Sequence, residues 1–455
     1  MVQKESMIFN MKQWLWKLFP GREGQMISFL CCCINGLIVL FFIFPFFASK
    51  YVLPVIPPEY IQMIRDLFLG NGLRWEWPNM RFFMMAKEPG YPLFLAMFYA
   101  LLGKFNTLPI QLTQIFLNGL ISWLVWMITF ESTKKMNIAT LASMSYAFHP
   151  LPIWYSVRIW NDIPTSLLLI VSVWLFLFTL HKRSFFYASL TGLCLGISTL
   201  FRVISVSLLL IFIGFMLFLE IKQYSLTISE ENSEPKKIHF FKQVFIIIFV
   251  FILTISPWVF RNTLISGQPV LLTIQGWGSM IDGGEIVRMW KLGDNIYRYD
   301  GEQKKKTLVS NFYYQELQNN PEKYPGEIEL IVNNRLKQTA LNEIKKEPLR
   351  FIKKIFMNLF FFWYLGTQKI MSTLLMLLNI ILLPLALLGT ALSIKEHNYF
   401  LTTFAVIIFC FCVLQAFVVG YSRYSVPVLP YVISLAAFAY NKFSWRCKIL
   451  TLYCM

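Results

Sequence analysis

Three features of the sequence predict an all-α, polytopic membrane protein. Hydrophobic residues make up 56% of the chain and charged residues only 14%. Phe alone occurs 44 times. Apolar runs recur from one end to the other, each long enough for a helix to cross a hydrocarbon layer of about 30 Å. A soluble domain has no use for so much apolar surface.

The first run, Met26–Phe47, follows a polar lead carrying Lys4, Lys12, Lys17 and Arg22. It is too long for the apolar core of a cleaved signal, so it reads as a spanning helix with a cytoplasmic N-terminus. Nine more strong runs follow: Pro109–Phe130, Ile138–Tyr155, Ile163–Leu180, Phe185–Leu200, Val203–Leu219, Val244–Val259, Met371–Ile394, Phe400–Val419 and Val426–Tyr440. Two apolar stretches, Leu93–Leu102 and Phe351–Leu365, are short or interrupted by charge and read as juxtamembrane helices. The expected bundle therefore holds about 10–12 transmembrane helices, ten of them full spans.

Charge decides the topology. With ten crossings, the loops carrying Lys134 and Lys135, Lys182 and Arg183, and Lys395 fall on the cytoplasmic side, as do Lys442, Arg446 and Lys448 of the tail. Counting either short stretch as a crossing places several of these loops outside. Two long segments then face outward, 48–110 and 261–370. Both carry interfacial tryptophans: Trp75 and Trp77 in the first, Trp277, Trp290 and Trp363 in the second, with Trp258 at its border. Within the second, Gln303–Asn319 and Glu327–Lys346 have helical patterning and suggest a small cap on the membrane face. Residues 1–455 show no internal repeat and no linker, so the chain reads as one integral membrane domain.

The net charge of +17 fits basic loops and contact with anionic lipid, and no nucleic-acid site is read from it. A basic cavity for phosphate is the sharper use of that charge. The eight cysteines contain no CxxC pair and His is scarce, so no metal site is expected.

The polar residues assigned to the outer face are few and come from scattered segments. The Lys87-Glu88-Pro89-Gly90-Tyr91-Pro92 stretch opens a short apolar segment with charge and helix breakers, which demands water or protein around it. Glu59, Tyr60 and Asp66 precede it; Arg158, Asn161, Asp162, Arg202, Arg261, Asn262, Arg423 and Tyr424 follow. Gly276 to Glu285 adds glycines and two acids. A carboxylate here can take a proton from an acceptor hydroxyl, and guanidinium groups can grip a phosphate. Each residue also has a plainer reading. Arg202 and Arg261 end spans and can snorkel to head groups. Asp162 can cap the helix after it, and Glu59 can be a first-turn acid.

Five of these stretches resemble the polytopic GT-C glycosyltransferases, in particular the dolichyl-phosphate-mannose-protein mannosyltransferase-like and aminoarabinose-transferase-like bacterial proteins. They are Glu59-Tyr60 with Leu67 and Gly70, the Pro-Gly-Tyr-Pro stretch, Pro150 to Asp162, Pro257-Trp258-Val259-Phe260-Arg261-Asn262 with Gly276 to Gly284, and Arg423-Tyr424-Ser425-Val426-Pro427-Val428-Leu429-Pro430. They occur in family order over nearly the whole chain. The resemblance implies a GT-C-like bundle and transfer of a sugar from a polyprenyl-phosphate donor to a lipid, glycan or protein acceptor at the extracytoplasmic face, without a cofactor. It implies catalytic carboxylates among Glu59, Glu88 and Asp162. It assigns substrate binding to Tyr60, Lys87, Tyr91, Arg202, Arg261, Asn262, Arg423 and Tyr424. Many relatives carry an Asp two or three residues before the tyrosine, where this chain has Ile56, Pro57 and Pro58, which leaves Glu59 and Glu88 as alternatives for the base. Two other classes fit parts of the pattern: a transporter or flippase for a lipid-linked or anionic solute, and a non-catalytic assembly protein. The first predicts repeat-related broken helices, which the two halves of the sequence do not show.

Overall fold

A computed structural model describes residues 23–46, 56–76, 82–85, 87–229, 241–274, 276–281, 303–323, 325–366 and 369–453. The described residues are almost entirely helical, apart from a two-stranded ribbon in which β1 (Trp75–Glu76) pairs antiparallel with β2 (Phe82–Phe83). Trp77, Trp290 and the Asp282 to Glu285 stretch, all singled out in the sequence, lie outside the described residues.

Eight described helices are long and apolar enough to cross a membrane. The first, α1 (Glu23–Phe46), contains a π turn at Val39–Ile43. Pro45 explains it: proline has no N–H for the ladder and its ring crowds the preceding turn. Next come α2 (Pro58–Phe68) and α3 (Gly90–Leu102), short helices on either side of the ribbon, and then the spanning α4 (Thr107–Thr133). The Asn106 side chain accepts from the Leu108 N–H to cap α4.

One expected span is different. The stretch from Ile138 to Tyr155 is not continuous but divides into α5 (Met136–Ala147) and α6 (Pro150–Val157). Pro150 and Pro152 cannot donate into an ongoing helix, and the His149 ring caps the restart by accepting from the Leu151 N–H. Phe185–Phe201 (α8) is helical over 17 residues and runs antiparallel to α7, from beside its last turn to Arg202 at Asp162, so it covers the same depth as its neighbour. The remaining eight expected spans coincide with the eight long helices. After α7 (Asp162–Lys182) and α8 these include α9 (Val206–Ser229), which follows the 3₁₀ turn Val203–Ser205, and α10 (Phe241–Ser266).

The second long segment supplies α11 (Gln303–Asn319) and α12 (Pro325–Lys346), where the sequence places its cap helices. They are fastened to each other by Arg335, which bridges Glu316 and Gln315. The amphipathic α13 (Pro348–Tyr364) leads into α14 (Lys369–Lys395), α15 (Tyr399–Val418), a 3₁₀ turn at Ser422–Val428 and α16 (Leu429–Tyr453).

Two apolar cores result. The larger joins the long helices, with α8 against α7 and α10, α14 against α16, and α4 against α1, α5 and α7. Phe176 and Phe212 stack face to face at its centre, 4.0 Å between ring centroids. The smaller core lies at one end of the bundle and gathers Tyr60, Met63, Ile64, Tyr91, Trp258, Tyr313 and Val332 from α2, α3, α10, α11 and α12. It holds the loops and cap over the starts of α4 and α7. Both of those helices begin at this end and finish at the other, on the order of 30 Å away for a helix of some 20 residues.

Candidate functional site

The start of α7 carries the centre of the site. Asp162 is wholly buried, and its Oδ1 accepts from Arg202 Nη1 at 2.9 Å. Arg423 Nε stands 3.9 Å from the same oxygen. Asp162 therefore gathers the end of α8 and the turn before α16, and the cost of burying its charge is met by two cations. Among the described residues, Asp162 Oδ2 and Arg423 Nε have no hydrogen-bond partner. These polar atoms are left for a partner other than the side chains around them.

Aromatic rings fix the guanidinium groups. Arg202 lies 4.5 Å over the Tyr424 ring, and Arg423 lies 4.0 Å over the Trp160 ring and 5.0 Å over Tyr424. These stacks leave the planar edges of the guanidinium groups for an oxyanion. Arg158 faces Trp160 from the same loop, 5.3 Å away. Burial pulls the Arg158 pKa down, and Arg423 adds to that while Tyr155 and Asp162 oppose it. The loop is held from α4: Gln111 Nε2 donates to the Val157 carbonyl at 2.7 Å, and Gln114 Nε2 to the Arg158 carbonyl at 2.6 Å.

The rim is built by α2 and α3. Glu59 sits in the first turn of α2 and pairs with Lys87 at 3.5 Å; about a quarter of its side chain is exposed (26%). The Tyr60 and Tyr91 rings meet edge to face, 5.2 Å apart, and Tyr91 donates to Gln114 Oε1 at 2.9 Å. Burial raises the Tyr60 pKa, Lys87 and Arg423 pull it back, and Glu59 and Glu88 add to it, so rim and centre share one electrostatic environment. Glu88 Oε1 accepts, at a long 3.5 Å, from the Val203 N–H beside Arg202. Gly90 makes this approach possible: a Cβ there would stand 2.4 Å from Phe201 and 2.8 Å from the Leu200 carbonyl oxygen.

Nine of the eleven sequence-selected residues thus meet at one end of the bundle. Glu59, Tyr60, Lys87, Glu88 and Tyr91 form the rim, and Asp162, Arg202, Arg423 and Tyr424 form the centre. Arg261 and Asn262 serve elsewhere. Arg261 donates from Nη1 to the Met84 carbonyl at 2.6 Å and from Nη2 to the Leu73 carbonyl at 3.0 Å, with its face 4.3 Å from Trp258. Asn262 is wholly buried and donates to the Leu272 carbonyl at 3.1 Å. Arg261 also donates to the Asn262 Oδ1, so the two are joined to each other and to the backbone of the first long segment and of the turn after α10. Glu329 of α12 completes the clamp by accepting the Met84 and Met85 N–H groups at 2.6 and 3.0 Å. Burial raises the Glu329 pKa to about 8, against the two N–H groups and Arg261.

Arg158, already placed on the outer face by the sequence, lies in this cluster, and Trp160, Gln111 and Gln114 join it without a sequence expectation. Their signal is in the sequence: two glutamines inside an apolar span are costly in lipid and mark an inward face. Among the described residues no group of three His, Cys, Asp or Glu is placed to hold a metal ion.

Residues 86–259, which include Lys87, Asp162 and Arg202, match the family described as dolichyl-phosphate-mannose-protein mannosyltransferase. No curated protein matches the chain. Among solved structures, it is similar to the archaeal oligosaccharyltransferase AglB from Archaeoglobus fulgidus in complex with an inhibitory peptide and a dolichol-phosphate, with 11% identity and a TM-score of 0.52 over 92% of this chain and 50% of that one. It is also similar to the Archaeoglobus fulgidus oligosaccharyltransferase tethered to an acceptor peptide, with 12% identity and a TM-score of 0.53 over 94% of this chain and 50% of that one. The chain spans about half the length of these structures. It is a polytopic helical chain of the GT-C fold whose residues 86–259 match the dolichyl-phosphate-mannose-protein mannosyltransferase family.

Proposed function

We propose that this protein is a glycosyltransferase that moves a sugar from a polyprenyl-phosphate donor to a lipid, glycan or protein acceptor at the extracytoplasmic membrane face. The observation that carries the reading is the meeting of the Glu59–Lys87 rim with the Asp162–Arg202–Arg423 centre at one end of a membrane bundle. A phosphate at a membrane surface needs fixed cations, and an acceptor hydroxyl needs a base. This end of the protein offers both. The AglB structure held a dolichol-phosphate on the same fold, which favours a lipid phosphate here.

Glu59 is the preferred base. It is partly exposed, whereas Glu88 faces a backbone N–H and Asp162 is buried between arginines. In a single displacement, the acceptor oxygen forms its bond to the anomeric carbon as the bond from that carbon to the phosphate oxygen breaks. Glu59 takes the acceptor proton, and the isoprenoid phosphate leaves with the electron pair. Lys87, Arg202 and Arg423 stabilise the charge that grows on it, an effect strongest in a site shielded from water. Asp162 acts by holding the two guanidinium groups in place.

The test is single-turnover transfer by purified protein, given a panel of radiolabelled polyprenyl-phosphate sugars with membrane-derived acceptors. Glu59→Gln, Glu88→Gln and Asp162→Asn run beside it. Consumption of one donor, lost in Glu59→Gln, supports the reading. Donor that is bound or moved across vesicles but never consumed would replace it with a transporter.

A further inference from the structure

The end of the bundle opposite Asp162 holds a second feature that the transfer reaction does not use. An apolar groove of about 780 Å³ runs between α9 and α15, walled by Leu210, Gly214, Phe218, Val406 and Leu414. A second pocket of about 550 Å³, lined by both apolar and charged side chains, adjoins it, formed by the ends of α4 and α7 and the turn between α14 and α15. Phe215, His397 and Tyr399 line both, so the two are continuous.

The pocket carries both signs of charge. Glu131 pairs with Lys134 at 2.7 Å and with His181 Nε2 at 3.5 Å, and Glu396 pairs with Lys442 at 2.7 Å. The walls are braced: Asn398 donates from Nδ2 to the Ser132 carbonyl at 2.8 Å, and its Oδ1 accepts the Leu401 N–H. Lys134 and His397 both take left-handed backbone, φ 54° and 53°, at helix ends where glycine is the cheaper residue. Their side chains border the pocket, which glycine could not provide.

The groove has matching dimensions. Tyr399 to Leu414 along α15 spans about 22 Å at the helical rise, longer than the half-thickness of about 15 Å of a bilayer's hydrocarbon core. Gly214 faces open space, with nothing within 4 Å of a Cβ built there.

We infer that this composite cavity is a binding site for a phospholipid whose head group carries both a phosphate and an ammonium. The acyl chain lies in the groove beside Gly214. The phosphate meets Lys134, His181 and His397, and the ammonium meets Glu131 and Glu396. Mixed charge in the pocket favours a zwitterionic head group over a purely anionic one. The site is separated from the Asp162 centre by the length of α7, so its occupancy does not depend on the transferase reading.

Native mass spectrometry of the delipidated full chain tests it, with phosphatidylethanolamine, phosphatidylglycerol and a polyprenyl phosphate offered separately and in competition. Gly214→Phe fills the groove. Lys134→Asn removes an ammonium and His397→Asn a ring nitrogen, each keeping a residue that tolerates left-handed backbone. Phosphatidylethanolamine is expected to bind one molecule per chain and more tightly than phosphatidylglycerol. Each Asn variant is expected to weaken it about tenfold, the loss of one charge-assisted hydrogen bond. Gly214→Phe is expected to abolish it, with circular dichroism confirming the fold. Phosphatidylethanolamine binding unchanged in the Asn variants, or equal affinity for phosphatidylglycerol, overturns the inference. So does binding of the polyprenyl phosphate as the species sensitive to Gly214→Phe, which would make the groove a bed for the donor's tail.

Discussion

Arg202 donates to Asp162 across 2.9 Å, and this contact ties the end of α8 to the start of α7 in the buried centre of the site. Its second oxygen accepts nothing among the described residues. The pair is therefore both a structural joint and an incomplete polar network, and the two roles separate by mutation.

Asp162→Asn removes the charge and leaves the buried Arg202 and the partly exposed Arg423 without their carboxylate. Breaking one side of a buried ion pair costs about 3–5 kcal/mol, so thermal unfolding in detergent should shift clearly downward. Adding Arg202→Met should restore part of the melting temperature but none of the transfer activity. Recovery of both would assign the pair to folding alone.

Glu59→Gln should leave the melting temperature nearly unchanged, because partly exposed ion pairs contribute about 0–1 kcal/mol. Turnover should fall by about 10²–10⁴, the usual contribution of a general base. Donor binding, measured separately by equilibrium binding, should persist. A variant that turns over normally removes Glu59 from the chemistry and brings Glu88 forward.

Gly90→Ala should loosen the rim. The added Cβ would collide with Phe201 and the Leu200 carbonyl, and overpacking of this kind costs about 1–3 kcal/mol. The shift displaces Lys87 and Glu88 from the end of α8, so KM for donor should rise with the loss of stability. An unchanged KM would show that α3 adjusts without moving the rim.

Glu329 gives the cap a pH dependence. Its pKa rises to about 8 in the folded protein from an ordinary 4.5, because burial penalises the carboxylate. A raised carboxyl pKa contributes stability that is full below the unfolded value and is lost as pH rises through the folded one. The melting-temperature advantage of the wild type over Glu329→Gln should therefore shrink from about pH 5 to about pH 8 and then level off. A constant difference across that window would mean that the two N–H groups keep Glu329 ionised throughout.

Much of this was legible in the sequence. Membrane class, the eight long helices and both cap helices follow from the length and period of apolar runs, which local sequence determines. The rim could also be read, since Lys87-Glu88-Pro89-Gly90-Tyr91-Pro92 is too polar and too broken to face lipid. The span expected from Ile138 shows the limit: hydropathy alone spans the break, while Pro150 and Pro152 in the same stretch carry the information that ends the helix.

Which arginines share a carboxylate is a different kind of question. Arg202, Arg261 and Arg423 look alike in sequence, each ending or preceding a span. Only packing separates them: Arg202 and Arg423 turn to Asp162, and Arg261 binds the carbonyls of Leu73 and Met84. Helical periodicity determines the face a residue occupies but not what another helix, far along the chain, brings against it. The sequence by itself determined the class of the protein, where its helices run and which residues bear charge at its ends. The tertiary structure decided which of those charges meet, because burying an ion in a low-dielectric interior is tolerable only where distant segments deliver its partner.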